Sequence, residues 1–355
     1  MVLYYLAIVL FLILGIFMLG KKNHKYNQTY LLTCFAIMLI LHSFVNPDYC
    51  DNYYYGIGYK EISKMSFIDV LKYNASSLKA EVGFRVLCKL LAYVSTEWVF
   101  GLFAISVIML SGYYLPTKRY SSSYLFSVLL ILVDPFLQST FVLRQHLAIA
   151  IILFSYLYVI EKKLIPYLLT CFIAFLIHQT ALIFFPVYFL YHLSRNKFAI
   201  VSVIAFFILS TYMSYFLMMA GQLSMNTAGY GAYYFEQDSE AGTNNKMALL
   251  MVLLLVIRIV VIKEKFFDEG ITRLMSIVMV LGTIFSITGI GFIGTSRLNM
   301  YFTSVSFLFI PNTFYYLKSK SLRGLSCFSY FLLMLYLVVK NASSFDGIWF
   351  ITPNL

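Results

Sequence analysis

Charge is what this sequence lacks. Asp, Glu, Lys and Arg make up 12% of its 355 residues, against 61% hydrophobic. A soluble globular domain carries about 25% charged residues, so that class is excluded. Proline is sparse too, at seven residues, and there is no Pro-rich linker, internal repeat or separable soluble domain. The five cysteines, Cys34, Cys50, Cys88, Cys171 and Cys327, lie scattered and mostly within apolar runs. They have neither zinc-type spacing nor the regularity of a disulfide framework. Histidines show no H-E-x-x-H arrangement. Among the acids, Asp48 and Asp51 are separated by Tyr49 and Cys50, which is no DxD pair. No metal and no cofactor are expected.

What the sequence has is long apolar runs. They cover roughly 2–19, 28–45, 97–115, 122–137, 140–160, 164–178, 180–193, 198–220, 247–262, 272–293, 297–317 and 325–340. At about 20 residues per crossing this predicts about twelve transmembrane helices, within a range of 10 to 14. The runs lack strict alternation, and a spanning backbone must satisfy its own N–H and C=O groups, so helices are expected rather than a barrel. The predicted fold is an all-α, polytopic integral membrane protein forming one domain over residues 1–355. The first run has no basic flank and no A-x-A-like cleavage site, and reads as an anchor.

The few charges thread these runs through the bilayer. One set of loops holds Lys21, Lys22, Lys25, Lys118, Arg119, Lys162, Lys163, Arg195, Lys197, Lys263, Lys265, Arg273, Lys318, Lys320 and Arg323, with only Glu161, Glu264, Asp268 and Glu269 against them. The positive-inside rule makes this set cytoplasmic. The net charge of +11 is therefore a topological signal next to anionic lipid, and nucleic acid is not implied. The other loops, including the two long ones at about 46–96 and 221–246, face outward, as do both termini. Arg258 lies within a run and is expected to snorkel to its cytoplasmic end. In the first outer loop, residues 82–95 place Val82, Leu87, Leu90, Leu91 and Val94 on one helical face, with Arg85 and Lys89 elsewhere; this is an interfacial or re-entrant helix.

An ionisable group inside a span costs roughly 2.5–3.5 kcal/mol, so its presence calls for a reason. Arg85, Arg144 and Arg297 all emerge on the outer side. Arg144 either snorkels to the outer headgroups or, as Gln138, Gln145 and His146 in QSTFVLRQH favour, lines a hydrated cavity. Arg297 follows TGIGFIGTS, in which Gly289, Gly291 and Gly294 match G-x-G-x-x-G. With no strand before it and no ribose-binding acid after it, this is not a dinucleotide site. A broken or closely packed helix end that exposes N–H groups beside a guanidinium, an anion site, is expected instead. His178 ends a span in LIHQTALI. His42 is a weaker case, and His24 and His192 fall among cytoplasmic charges. Of the acids, Asp51 and Glu81 abut apolar or aromatic stretches at the membrane edge, whereas Asp48, Glu236, Asp238 and Glu240 read as loop acids and Asp134 stands in VDPF. The tyrosines from Tyr49 to Tyr59 fit either an interfacial aromatic belt or a platform for sugar rings.

Together these segments resemble the EpsG family of Wzy-type repeat-unit polymerases: the Asp- and Tyr-rich stretch after the second span, Glu-x-Gly-Phe at 81–84, L-R-Q-H-L-A-I-A-I at 143–151 and I-H-Q-T-A-L-I at 177–183. The resemblance is best over about residues 30–190. It implies a GT-C-like glycosyltransferase in the bacterial cytoplasmic membrane with an outward-facing active site, serving O-antigen, capsule or exopolysaccharide synthesis. Donor and acceptor would be oligosaccharides linked to undecaprenyl pyrophosphate, and a chain-length regulator membrane protein would be a partner. Residue by residue, Arg144 matches the family's central arginine, His178 its I-H element, Glu81 its acidic element and Asp51 the acid of its first motif; Arg297 follows less closely. The resulting expectation is a catalytic set of Glu81, His178 and Asp51, with Glu81 first as base, and a substrate-binding set of Arg144, Arg297, Arg85 and Gln145. Fixed arginines would stabilise a pyrophosphate leaving group without a metal. A lipid-linked oligosaccharide flippase, an O-antigen ligase and a glycan acyltransferase are the alternatives. The flippase should show cationic residues along a transbilayer path and repeat symmetry.

Overall fold

The computed structural model describes residues 2–20, 24–72, 74–75, 77–227, 241–268, 270–290, 293–340 and 348. In chain order its helices are α1 (Val2–Leu19), α2 (His24–Ser43), α3 (Asp51–Lys64), α4 (Phe67–Lys72), α5 (Val82–Ala92), α6 (Trp98–Tyr120), α7 (Tyr124–Ile131), α8 (Leu137–Ser139), α9 (Leu143–Ile160), α10 (Leu164–Ile177), α11 (Val187–His192), α12 (Arg195–Thr227), α13 (Ala241–Ile262), α14 (Ile271–Thr288), α15 (Ile293–Thr303), α16 (Ser306–Phe314) and α17 (Lys320–Lys340). A π-helical turn, Leu132–Phe136, joins α7 to α8, and a 3₁₀ turn, Gln179–Phe184, joins α10 to α11. The acids Glu236, Asp238 and Glu240, together with Lys21, Lys22, Glu269 and Gly291, lie outside the described residues.

The chain is a polytopic all-α membrane protein. Among the described residues six helices are long and apolar enough to cross a bilayer: α1, α6, α9, the Arg195–Tyr212 part of α12, α14 and α17. Shorter apolar helices occupy Tyr124–Ser139, Leu164–Ile177 and Ala248–Ile262. The difference from twelve full crossings has local causes. The run 180–193 is not a helix but the 3₁₀ turn and α11. It doubles back along α10, where the Tyr167 hydroxyl donates to the Phe184 carbonyl at 2.6 Å and the Tyr167 and Tyr188 rings lie 5.2 Å apart. The run 297–317 is broken between Thr303 and Ser306 into α15 and α16. Large apolar side chains face outward around the bundle, among them Ile16 and Ile165, each 72% exposed, as expected where lipid is the solvent.

Within 82–95 the chain forms a helix, α5, whose exposure is the inverse of a soluble amphipathic helix. Leu90 and Val94 are exposed while Phe84, Arg85, Cys88 and Lys89 are buried. The charged side turns inward because the loop beneath it supplies oxygens. Arg85 donates from Nε to the Val70 carbonyl at 2.9 Å, from Nη1 to Asn74 Oδ1 at 2.8 Å and the Ala80 carbonyl at 2.5 Å, and from Nη2 to the Leu71 carbonyl at 3.3 Å. Lys89 donates to the Ser63 carbonyl at 2.9 Å. The α3–α5 segment is thus folded around its own two cations.

The basic loops meet at one end of the bundle. Arg119 and Lys163 both pair with Glu161, at 3.5 and 2.8 Å. Arg273 donates to the Leu193 carbonyl and stacks on Tyr191, and Arg195 lies over Phe267. Helix α9 runs ~27 Å from this end to Arg144 at ~1.5 Å per residue, which separates the basic end from the arginines singled out above. Arg258 does not snorkel. It is 1% exposed and ties three helices, donating to Ser276 Oγ at 3.0 Å, Thr313 Oγ1 at 2.7 Å and the Thr272 carbonyl at 2.8 Å over the Phe309 ring. Replacing it by leucine should cost about 2–4 kcal/mol through these lost bonds. The check is a lowered unfolding temperature of purified Arg258→Leu.

Candidate active site

Helix α5 begins against the end of α10, and Gly83 permits that approach. A Cβ there would meet the Leu176 side chain and carbonyl at 2.6 Å, so no larger residue fits without moving the helix. The contact sets Glu81, the residue before α5, beside His178, which ends α10 in an extended conformation at φ −155, ψ 115. One carboxylate oxygen, Oε1, accepts from His178 Nδ1 at 2.9 Å and from the Gln179 backbone N–H at 3.3 Å. The other, Oε2, is ion-paired to Arg144 Nη1. Gly83→Ala should shift Glu81 by about 1 Å, and such misplacement costs about 10²-fold in rate. Polysaccharide output should fall by that order at unchanged membrane abundance of the variant.

Arg144 enters from the first turn of α9. It is 7% exposed, so it is held inside the protein rather than reaching for headgroups. Its Nε donates to the Tyr55 hydroxyl at 3.2 Å, and its guanidinium lies 5.9 and 6.0 Å from the Tyr55 and Phe84 ring centres. Tyr55 stands four residues after Asp51 on α3, hence on the same helical face. Asp51 opens that helix and feels the charges of both Arg297 and Arg144. Gln145 donates to the Arg297 backbone carbonyl, and Thr180 to the Tyr301 hydroxyl at 3.2 Å; these bonds tie α15 to α9 and to the 3₁₀ turn.

The electrostatics distinguish the two carboxylates. Burial pushes the Glu81 carboxyl up, but the charge of His178 when that ring is protonated, the charge of Arg144 and the His178 hydrogen bond outweigh it and hold the group down at about 2. Glu81 is therefore ionised throughout the physiological range. Its contribution to stability is complete above the ordinary value of 4.5 and fades as pH falls towards 2. Asp51 moves the opposite way: burial raises it, against the pull of Arg297 and Arg144. His178 keeps its Nε2 buried and without a hydrogen-bond partner. A histidine with Nδ1–H fixed on a carboxylate and a lone pair on Nε2 is arranged to take a proton.

Glu81, His178 and Arg144 thus come together, Asp51 feels both Arg144 and Arg297, and Gln145 reaches the Arg297 carbonyl instead of the acid–histidine pair. Arg85, four residues after Glu81, is turned into the loop carbonyls. The hydrated cavity expected around Arg144 from Gln138 and His146 is not how these side chains lie. Gln138 donates to Asp134 at 2.7 Å, His146 meets the Tyr113 hydroxyl at 3.1 Å, and both point into the bundle away from Glu81. His42 is likewise committed to Ser106 Oγ, at 2.7 Å. Sequence reasoning missed Tyr55 and Phe84 as the aromatic bed of Arg144. The four-residue spacing of Asp51 and Tyr55 and the Phe of Glu-x-Gly-Phe were the available signals. Among the described residues no group of three His, Cys, Asp or Glu side chains is placed to hold a metal ion.

Fold and site define a multi-pass membrane protein with an acid–histidine–arginine constellation at the end opposite its basic loops. The chain belongs to the EpsG family, which it matches over residues 28–350. That family is associated with exopolysaccharide biosynthesis and with lipid-linked polysaccharide substrates in general. No curated protein and no solved structure matches the chain.

Proposed function

We propose that this protein polymerises oligosaccharide repeat units carried on undecaprenyl pyrophosphate, by glycosyl transfer at the outer face of the bacterial cytoplasmic membrane, in the manner of GT-C transferases. The observation that carries this reading is the Glu81–His178 pair with its unpartnered Nε2, ion-paired to Arg144, with the charge of Arg297 felt at nearby Asp51. Nε2 accepts the proton of the acceptor hydroxyl as the hydroxyl oxygen bonds to the donor's anomeric carbon. The bond from that carbon to the pyrophosphate breaks, and undecaprenyl pyrophosphate leaves with the electron pair. Arg144 and Arg297 stabilise the charge that develops on it. Glu81 orients the imidazole and balances the imidazolium. This order, with His178 as base and Glu81 behind it, reverses the expectation from sequence, because both Glu81 oxygens are occupied and its basicity is depressed.

Orientation follows from the basic end facing the cytoplasm. Cys50, beside Asp51, is the exposed cysteine, and the other four are buried. An impermeant maleimide applied to intact spheroplasts should therefore label the wild-type chain, and Cys50→Ser should abolish the labelling. Deletion of the gene should leave single lipid-linked repeat units and no polymer ladder on gels. Unlabelled Cys50 would overturn the orientation, and an unchanged ladder would overturn the polymerase reading.

A further inference from the structure

A second polar site lies in the interior of the bundle, away from Glu81. Asp134 sits in the π-helical turn between α7 and α8, and among the described residues no Lys, Arg or His forms an ion pair with it. A carboxylate inside a span is costly without a counter-charge. It lines a cavity of about 60 Å³ together with Gln138, Thr303, Ser306 and Tyr330, and with methionines from α13, α14 and α17. Gln138 donates to Asp134 Oδ1, but its own Oε1 is buried without a donor. Opposite them the chain breaks between α15 and α16, so the cavity meets Thr303 at the C-terminal end of α15, where helix carbonyls concentrate negative partial charge, and Ser306 at the start of α16. The Thr303 hydroxyl donates to the Asn299 carbonyl at 3.3 Å, which leaves its lone pairs for a ligand.

We propose that this cavity binds a small monovalent cation, with Asp134 as its counter-charge and Gln138 Oε1, the hydroxyl oxygens and the end of α15 as neutral oxygen ligands. The space exceeds the roughly 10–15 Å³ that one water-sized occupant needs. Asp134 and the unpaired Gln138 Oε1 offer it oxygens, and a broken helix beside a carboxylate at membrane depth is a setting in which alkali cations are held. The bound ion ties the π turn to α15. Because α15 carries Arg297, cation binding steadies one wall of the active site.

The test is thermal unfolding of the purified full-length chain in detergent, in sodium, potassium and choline chloride at matched ionic strength. Its readout is independent of the polymerase reading. Sodium or potassium should raise the unfolding temperature by several degrees over choline, along a saturating curve as cation concentration rises. Asp134→Asn should abolish that shift, and Gln138→Leu should displace the curve at least ~10-fold towards higher cation concentration. Superimposed wild-type curves in all three salts, or a non-saturating linear rise, would overturn the proposal even if Asp134→Asn failed to fold. A shift retained in Asp134→Asn would overturn it as well.

Discussion

Glu81→Gln should reduce polymer formation by about 10³-fold or more while leaving the protein in the membrane. The amide is nearly isosteric with the carboxylate, so packing beside Gly83 is retained. Its –NH₂ can donate to His178 Nδ1, however, which drives the imidazole to the tautomer with its proton on Nε2. The lone pair proposed to take the acceptor's proton is then lost, and no charge remains to balance an imidazolium. Loss in Glu81→Gln alone would also follow if Glu81 itself were the base. His178→Ala separates the two, because exogenous imidazole should restore part of its activity if Nε2 is the proton acceptor. Full activity of His178→Ala without imidazole would return the base role to Glu81.

Arg144→Lys should be nearly as damaging as Arg144→Ala, with polymer output down by about 10²-fold or more. The guanidinium meets the Glu81 carboxylate with one nitrogen and the Tyr55 hydroxyl with another, and it lies beside the adjacent Tyr55 and Phe84 rings. A lysine ammonium is a compact point charge without that planar fork, so it cannot satisfy both partners while also facing a phosphate. A chain-length distribution identical to wild type in a normally expressed Arg144→Lys strain would show that Arg144 only supplies bulk positive charge.

Much of the site was legible because its members are chemically conspicuous where they stand. Glu81, Arg144 and His178 are polar groups at the ends of apolar runs, and the cost of placing them there marks them from sequence alone. Their mutual geometry was not legible. Glu81 meets His178 through a contact of α5 on α10 that depends on Gly83 and Leu176, almost a hundred residues apart, and no local pattern encodes it. Arg85 was misleading because burial of an arginine is equally well satisfied by loop carbonyls, which hydropathy cannot see. The same limit hid Arg258, whose hydroxyl partners on α14 and α16 replace the snorkelling expected of an isolated cation. The basic loops do gather at one end, since charge distribution is a property of the sequence itself. The number of crossings was legible in part: six helices among the described residues are long and apolar enough to span, whereas runs such as 180–193 and 297–317 are apolar along their length yet broken or doubled back, since apolarity alone does not require a continuous helix.

The most direct measurement is turnover by the purified, reconstituted protein given a single oligosaccharide repeat unit on undecaprenyl pyrophosphate as both donor and acceptor. Wild type should yield dimers and longer glycans with stoichiometric release of undecaprenyl pyrophosphate, His178→Ala should yield none, and imidazole should restore dimer formation in that variant. Absence of any elongation by folded wild-type protein, or elongation by His178→Ala at the wild-type rate, would contradict the account.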